Sequence, residues 1–215
     1  MAKENWTLAS LKETFGLIRL SPTTDSLPLL EEWLKAEGTF TETEAKRLEF
    51  LRLTLEKHVD GWLEESLKMR FIAHILEIAD YLYKEEPFYA FFDVSISATI
   101  DDYVLSAKPD LLLGIGVEDE LRIPYFCLHE FKKSVPDKDP RAQLLVDMLI
   151  AQAVNPQKKV IYGCYVIGKF WQFVVLDEKK YMISHSFDAT DSNELHKIVF
   201  ILRKFQEIIL TLLAA

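Results

Sequence analysis

Two apolar, strand-like runs in this chain are each interrupted by charge, and that pattern narrows what the chain can fold into. Lys108-Pro109-Asp110 leads into Leu111-Leu112-Leu113-Gly114-Ile115, while Pro124-Tyr125-Phe126-Cys127-Leu128 runs past His129 into Glu130-Phe131-Lys132. Runs this apolar belong where a sheet packs against other layers. A carboxylate buried there alone is costly unless it pairs, keeps its proton or binds a cation. Strand alternation puts Leu128, Glu130 and Lys132 on one face and His129, Phe131 and Lys133 on the other, with Glu130 and Lys132 rooted about 7 Å apart. If the Asp110 strand lies beside this one, two carboxylates and one ammonium converge.

Around these runs the texture changes from helical to extended near Pro87. The first sixty residues read as helical: Pro28 to Ala36 is a short helix carrying Leu30, Trp33 and Leu34 and stopping near Gly38. Thr41-Glu42-Thr43-Glu44 matches a capping box ahead of Leu48, Leu51 and Leu55. After a break at Asp60-Gly61, the residues Leu63, Leu67, Phe71, Ile75, Ile78 and Leu82 advance by threes and fours, which predicts an amphipathic helix to about Tyr83. Three strands are then expected, Phe88 to Ile100, Tyr103 to Ile115 and Ile123 to Lys133, with a turn at Asp101-Asp102 and a loop over Gly114 to Leu121. Asp139-Pro140 opens a helix to about Val154. Strands follow over Lys158 to Ile167, Phe170 to Leu176 and Lys180 to Ser186. A helix from Ser192 to Leu213 turns Leu195, Ile198, Val199, Leu202, Phe205 and Ile209 inward.

With 215 residues, 49% of them hydrophobic, the chain can bury one sizeable core. No apolar run approaches the roughly 18 residues of a membrane span. No apolar segment follows Met-Ala-Lys-Glu-Asn either, so a cytoplasmic protein without membrane contact is expected. Cys127 and Cys164 lie in strand contexts without a second pair at metal spacing and read as small buried hydrophobes. A net charge of -9 argues against wholesale nucleic-acid binding. Between Leu121 and Lys180, however, ten Lys or Arg face six Asp or Glu, so the basic excess falls in the segment that holds Glu130 and Lys132. There is no glycine-rich phosphate loop and no nucleophile elbow. His129, on the reverse face of its strand, reads as a packed residue.

Pro109-Asp110 followed by Glu130-x-Lys132 resembles the PD-(D/E)xK motif of the restriction-endonuclease-like nuclease superfamily. The order helix, three-strand meander, helix, strand around it is similar to that superfamily's core, and the resemblance covers about Trp62 to Ser186. It implies an α/β fold with a mixed central sheet flanked by helices, and cleavage of nucleic acid, DNA first, with Mg or Mn as cofactor. It further implies Asp110 and Glu130 as metal ligands, with Lys132 orienting the water, holding the phosphate or serving as base. In the superfamily an acid on the helix before the meander often adds a ligand. The segment Trp62 to Ile72 resembles that helix, and the spacing selects Glu64, with Glu65 as the other candidate. Gln143 resembles the glutamine that many members carry on the helix after the Glu-x-Lys strand. Lys133, Lys138 and Arg141 flank the site and would meet phosphates.

The residues themselves leave a second account open. Asp110 or Glu130 could form a plain ion pair with Lys132 at a sheet end, and Glu64 could simply complement a helix dipole. On that account the chain is a catalytically silent nuclease-fold module that binds nucleic acid or a protein partner, or a helical dimer with a structural charge cluster. Residues 1–59 lie outside the superfamily's minimal core and read as an N-terminal helical extension: a cap, a homodimerisation element or a recognition piece. Residues 60–215 would form the nuclease-like domain.

Overall fold

In the computed structural model, which describes residues 6–82, 88–117, 120–134, 136, 139–155 and 160–214, a mixed sheet separates two apolar cores. The chain begins with α1 (Leu8–Phe15), β1 (Ile18–Leu20), α2 (Pro28–Leu34) and α3 (Glu42–His58). A short turn over Val59–Gly61 leads to α4 (Glu64–Leu67), a π-helical turn (Lys68–Ile72) and α5 (Ala73–Ile78). Then come β2 (Tyr89–Phe92), β3 (Ile96–Ile100), β4 (Tyr103–Ala107), β5 (Leu111–Val117), β6 (Glu120–Lys132) and α6 (Pro140–Val154). The chain finishes with β7 (Val160–Ile167), β8 (Phe170–Asp177), β9 (Lys180–Ile183), β10 (Phe187–Asp188) and α7 (Ser192–Ala214).

The main sheet runs β1-β9-β8-β7-β6-β5-β2, with β10 beside β8. β2, β5 and β6 are successive antiparallel neighbours, and β6 pairs in parallel with β7 after the crossover through α6. One face carries the first core, where Leu30, Trp33, Leu48, Leu55, Ile75 and Phe205 meet Tyr162, Cys164 and Phe173 of the sheet. The other face carries the second, in which Leu144, Leu145 and Met148 of α6 pack with Leu128 and Val174 and are joined by Ile96 and Leu105 of the β3–β4 hairpin. All six apolar positions expected to face inward on α7 are buried. The Thr41 capping box forms, with the Thr41 side chain accepting from the Glu44 N–H and the Glu44 carboxylate accepting from the Thr41 N–H. Asp139 caps α6 through the Arg141 N–H, with Pro140 opening the helix. The Cys127 side chain and Tyr83 lie outside the described residues.

Four expectations are corrected. The strand expected over Phe88 to Ile100 is two strands in two sheets, because Asp93 takes a left-handed conformation (φ 61°) and turns the chain off β5. The strand expected over Tyr103 to Ile115 is broken at Lys108-Pro109-Asp110, where proline has no N–H to give a ladder. The chain thus leaves the main sheet at Asp93 and returns at Asp110, and a 2.7 Å contact from Lys108 Nζ to Asp93 Oδ2 ties the neck of that excursion. The expected loop over Gly114 to Leu121 is largely strand, since β5 and β6 stay paired to Val117 and Glu120 after a register shift at Gly114. Leu63, expected on the buried stripe, is 72% exposed, because it is the extended N-cap residue ahead of α4 and lies outside the helix whose face buries Leu67, Phe71 and Ile75.

The segment before Asp60 is built into the sheet domain's core, and it contains a strand and a helix, β1 and α1, that helical spacing does not reveal. β1 pairs in parallel with β9 at the sheet edge. Trp33 is fully buried, with ring centroids 5.2, 5.1 and 5.4 Å from Tyr162, Phe173 and Phe205, and its Nε1 donates to the Ile201 carbonyl at 2.7 Å. Arg203 pairs with Glu44, and Lys197 reaches the Ala36 carbonyl at 2.7 Å. Deleting residues 1–59 is therefore expected to give an aggregating chain without a cooperative melting transition. A soluble truncated protein that melts like the full chain would show that these contacts are dispensable.

Candidate active site

The interruption at Pro109 is what positions the first acid. Asp110 re-enters the sheet with its N–H donating to the His129 carbonyl at 3.1 Å, and with Leu111 paired to His129 the register sets Asp110 across from Glu130. The Phe131 N–H donates to Asp110 Oδ2 at 2.7 Å, which fixes the carboxylate at the strand end. Lys132 closes β6 and joins the acids: its Nζ is 3.1 Å from Glu130 Oε2, 3.6 Å from Glu64 Oε1 and 3.9 Å from Asp110 Oδ2. Glu130 and Lys132 share a face, as strand alternation requires. His129 and Phe131 point to the opposite core, where His129 is fully buried beside Tyr81. Burial pushes the His129 pKa down to about 3, so the ring is neutral near pH 7 and does not add charge to this cluster.

Glu64, the first residue of α4, is brought to the same place, and a residue that sequence reasoning missed comes with it. Lys68 Nζ lies 2.8 Å from Asp110 Oδ1, 3.0 Å from Glu64 Oε1 and 3.2 Å from Glu65 Oε1. Spacing alone makes Glu64 and Lys68 look like an ordinary surface pair four apart on a helix. The contact to Asp110 is visible only once the helix is docked on the sheet. Glu65 is 79% exposed and touches the cluster through Lys68 alone.

The second missed residue is Asp147, which sits 2% exposed in the middle of the apolar α6. It hydrogen-bonds Glu130, and among the described residues its Oδ2 has no partner. Burial raises the pKa of both acids; for Asp147 the repulsion and hydrogen bond from Glu130 raise it well above the ordinary carboxylate range. The pair thus holds a proton, with Asp147 donating to Glu130. An acid in the run Leu144 to Ile150 is the signal that could have found it. Gln143 lies one turn earlier on the same face of α6, and its Oε1 is also buried without a partner among the described residues.

For Lys132, burial alone would lower the pKa, but the charges of Glu130, Asp110 and Glu64 outweigh it and raise the value. Lys68 is raised in the same way, its burial outweighed by Asp110 and Glu64. Both lysines are therefore ammonium groups at neutral pH, the form that suits Lys132 to orienting a water or holding a phosphate. The flanking cations are placed less tellingly. Arg141 forks onto Asp139 through Nε (2.9 Å) and Nη2 (2.8 Å), Lys133 is half-buried just past β6, and Lys138 lies outside the described residues.

The Asp147 carboxyl makes a pH prediction. A carboxyl whose folded pKa exceeds its unfolded value near 4 favours the fold most when protonated in both states, and that contribution declines as pH rises toward the folded value. Asp147→Asn, which cannot ionise, should therefore melt above the wild type at about pH 8 in the presence of a chelator and lose that advantage at about pH 4. A difference in melting temperature that is the same at both pH values would show that Asp147 is ionised in the fold.

A scan of family models finds no match to this chain, and a search of the curated proteins finds none. Four acids, Glu64, Asp110, Glu130 and Asp147, surround the two ammonium groups of Lys68 and Lys132; with the Asp147–Glu130 pair holding one proton, one negative charge is left in excess. Among the described residues no three acidic, His or Cys side chains gather as a preformed metal cage. Magnesium does not need one, because one or two carboxylates suffice when waters and phosphate oxygens complete its shell. The charge excess and the orphaned Asp147 oxygen fit a dication held at Asp110 and Glu130. Among the described residues no helix is long and apolar enough to cross a membrane.

Proposed function

We propose that this protein is a metal-dependent nuclease of the PD-(D/E)xK type, hydrolysing phosphodiester bonds in nucleic acid, with DNA as the favoured substrate. The observation that carries the reading is the meeting of Asp110 and Glu130, from neighbouring strand ends, at the single ammonium of Lys132. Topology supports it. The strands β2, β5 and β6 form an antiparallel meander after the α4–α5 helix, and α6 then leads to β7 in parallel with β6, which is the helix, meander, helix, strand order of the restriction-endonuclease-like core. The β3–β4 hairpin is an insertion between the first two strands of that meander.

Asp110 and Glu130 would hold Mg²⁺ or Mn²⁺, with Glu64 close enough to join through water, and the ion would supply an activated water and neutralise phosphate charge. Lys132, kept as an ammonium by its acid neighbours, offers a hydrogen bond and positive charge to a phosphate oxygen. Asp147 holds the Glu130 carboxylate in place from α6, and Gln143 presents its amide one turn away on the same face. The Phe131 N–H does the same service for Asp110 at Oδ2, and a cation at Oδ1 would take the place of the Lys68 ammonium that now lies 2.8 Å from it.

The 2.8 Å contact between Lys68 and Asp110 supports a second reading, in which the two lysines permanently neutralise the acids and the fold serves as a binding module. Calorimetric titration with magnesium, beside cleavage assays on single- and double-stranded DNA and RNA, decides between them. Heat that disappears in Asp110→Ala and Glu130→Ala, together with cleavage, supports the nuclease. Protein that binds neither magnesium nor manganese and cuts none of these substrates is the binding module.

A further inference from the structure

Beside the acids, between the α4–α5 helix and the sheet, lies a groove of ≈ 330 Å³ whose lining includes both Lys68 and Asp110. Its apolar lining includes Met69, Ile72, Phe92 and Phe131. Ile72 and Phe131 are buried core residues, but Phe92 is 51% and Met69 68% exposed. Single exposed apolar residues are ordinary on a protein surface. Here two of them, one on the edge strand β2 and one on the π-helical turn, meet at a single groove that opens beside the candidate active site.

We propose that this groove receives one unpaired nucleobase of the substrate whose phosphate is held at Asp110, Glu130 and Lys132, so that the substrate is single-stranded or locally unpaired nucleic acid. The proposal rests on the nuclease reading and deepens it. The groove stands near the lower end of the roughly 300–1,000 Å³ range of ligand pockets, room for a nucleoside-sized group and not for a duplex. A paired base lies inside the stack and cannot enter a recess beside its own backbone without leaving that stack. An aromatic ring and a thioether, exposed on facing elements, are the side chains that a base face stacks on.

Charge fixes which way round the nucleotide lies. The ammonium of Lys68 marks the end shared with Asp110, where a phosphate joins the catalytic set. Of the two other acids in the lining, Glu65 is paired with Lys68 at 3.2 Å, whereas Asp93 follows Phe92 at the end of β2, where its carboxylate can accept hydrogen bonds from the exocyclic amino groups of a base. Phosphate therefore lies toward Lys68 and Lys132, with the base against Phe92 and Met69.

The test uses full-length Lys132→Ala protein, expected to hold magnesium without cutting, and fluorescein-labelled oligodeoxyadenylate, either single-stranded or annealed to oligodeoxythymidylate. In magnesium the single strand should bind at least about tenfold tighter than the duplex by fluorescence anisotropy, as expected for a lost or gained base stack. Adding Phe92→Ala, or separately Met69→Ser, should weaken single-strand binding by about fivefold or more while the calorimetric magnesium titration is unchanged. Equal affinity for the two forms, or both groove variants binding like their parent, overturns the proposal. If Asp110-dependent cleavage nevertheless persists in the single variants Phe92→Ala and Met69→Ser, the nuclease reading stands without it. A wild-type dimer in sizing chromatography that Phe92→Ala converts to monomer would assign the groove to a second copy of this chain and overturn it too. Wild-type protein without magnesium binding or cleavage overturns both readings together.

Discussion

Alanine at Asp110, Glu130 or Lys132 is expected to lower the rate of nucleic-acid cleavage by about 10²–10⁴-fold, the range for removing a group that stabilises charge or moves a proton in the transition state. The three variants should not behave alike. On the proposed reading, Asp110→Ala and Glu130→Ala would each remove a ligand and part of the charge that attracts a dication, so magnesium affinity should fall with activity. Lys132→Ala removes only an ammonium that stands 3.1 Å from Glu130, so it should bind magnesium at least as well as the wild type while losing turnover. Binding to nucleic acid should weaken in all cases as salt rises, because phosphate contacts release counterions. Cleavage left intact by all three substitutions would belong to a contaminating enzyme, and loss of metal binding in Lys132→Ala would show that the lysine organises the acids as well as the phosphate.

Among single substitutions, the largest effect on stability is expected at Trp33. Its indole is fully buried against three aromatic rings from β7, β8 and α7, and its N–H is satisfied by the Ile201 carbonyl. Trp33→Ala leaves a large cavity between α2, the sheet and α7 and should cost about 3–5 kcal/mol, read as a lower midpoint in chemical denaturation. Near-wild-type stability would mean that α2 can collapse onto Phe173 and Phe205 without it. This is where residues outside the motif segment matter most, since a loss that size is a large fraction of what holds a domain together.

The long, strongly periodic elements were legible from sequence. α7 buries every apolar position that helical spacing assigns to it, and α3 and α6 carry the caps that Thr41 and Asp139 announce. The short elements were not, because β1 has three residues and gains its identity only from pairing with β9. Strand breaks at Asp93 and Pro109 were hidden by apolar residues on both sides, which suit two short strands in different sheets as well as one long strand. At the site, Asp110, Glu130 and Lys132 could be placed together by alternation and a guess about strand neighbours. Lys68 and Asp147 could not, since each reaches the cluster from a helix whose docking angle is set by packing in the two cores. An acid among Leu145, Val146, Met148 and Leu149 was nevertheless a departure from pattern open to view.

The π-helical turn at Lys68–Ile72 makes one helix behave as two separately indexed segments. A π turn holds an additional residue, and each residue advances an α-helix by about 100°, so the turn rotates Glu64 relative to Ile75 and Leu76. The acid end keeps one bearing, set by Asp110 and Lys132, while the core end keeps another, set by the packing beneath the sheet. The wide turn thus lets one continuous helical stretch present Glu64 to the charged cluster and Ile75 to the core at relative angles that an unbroken α-helix would not give.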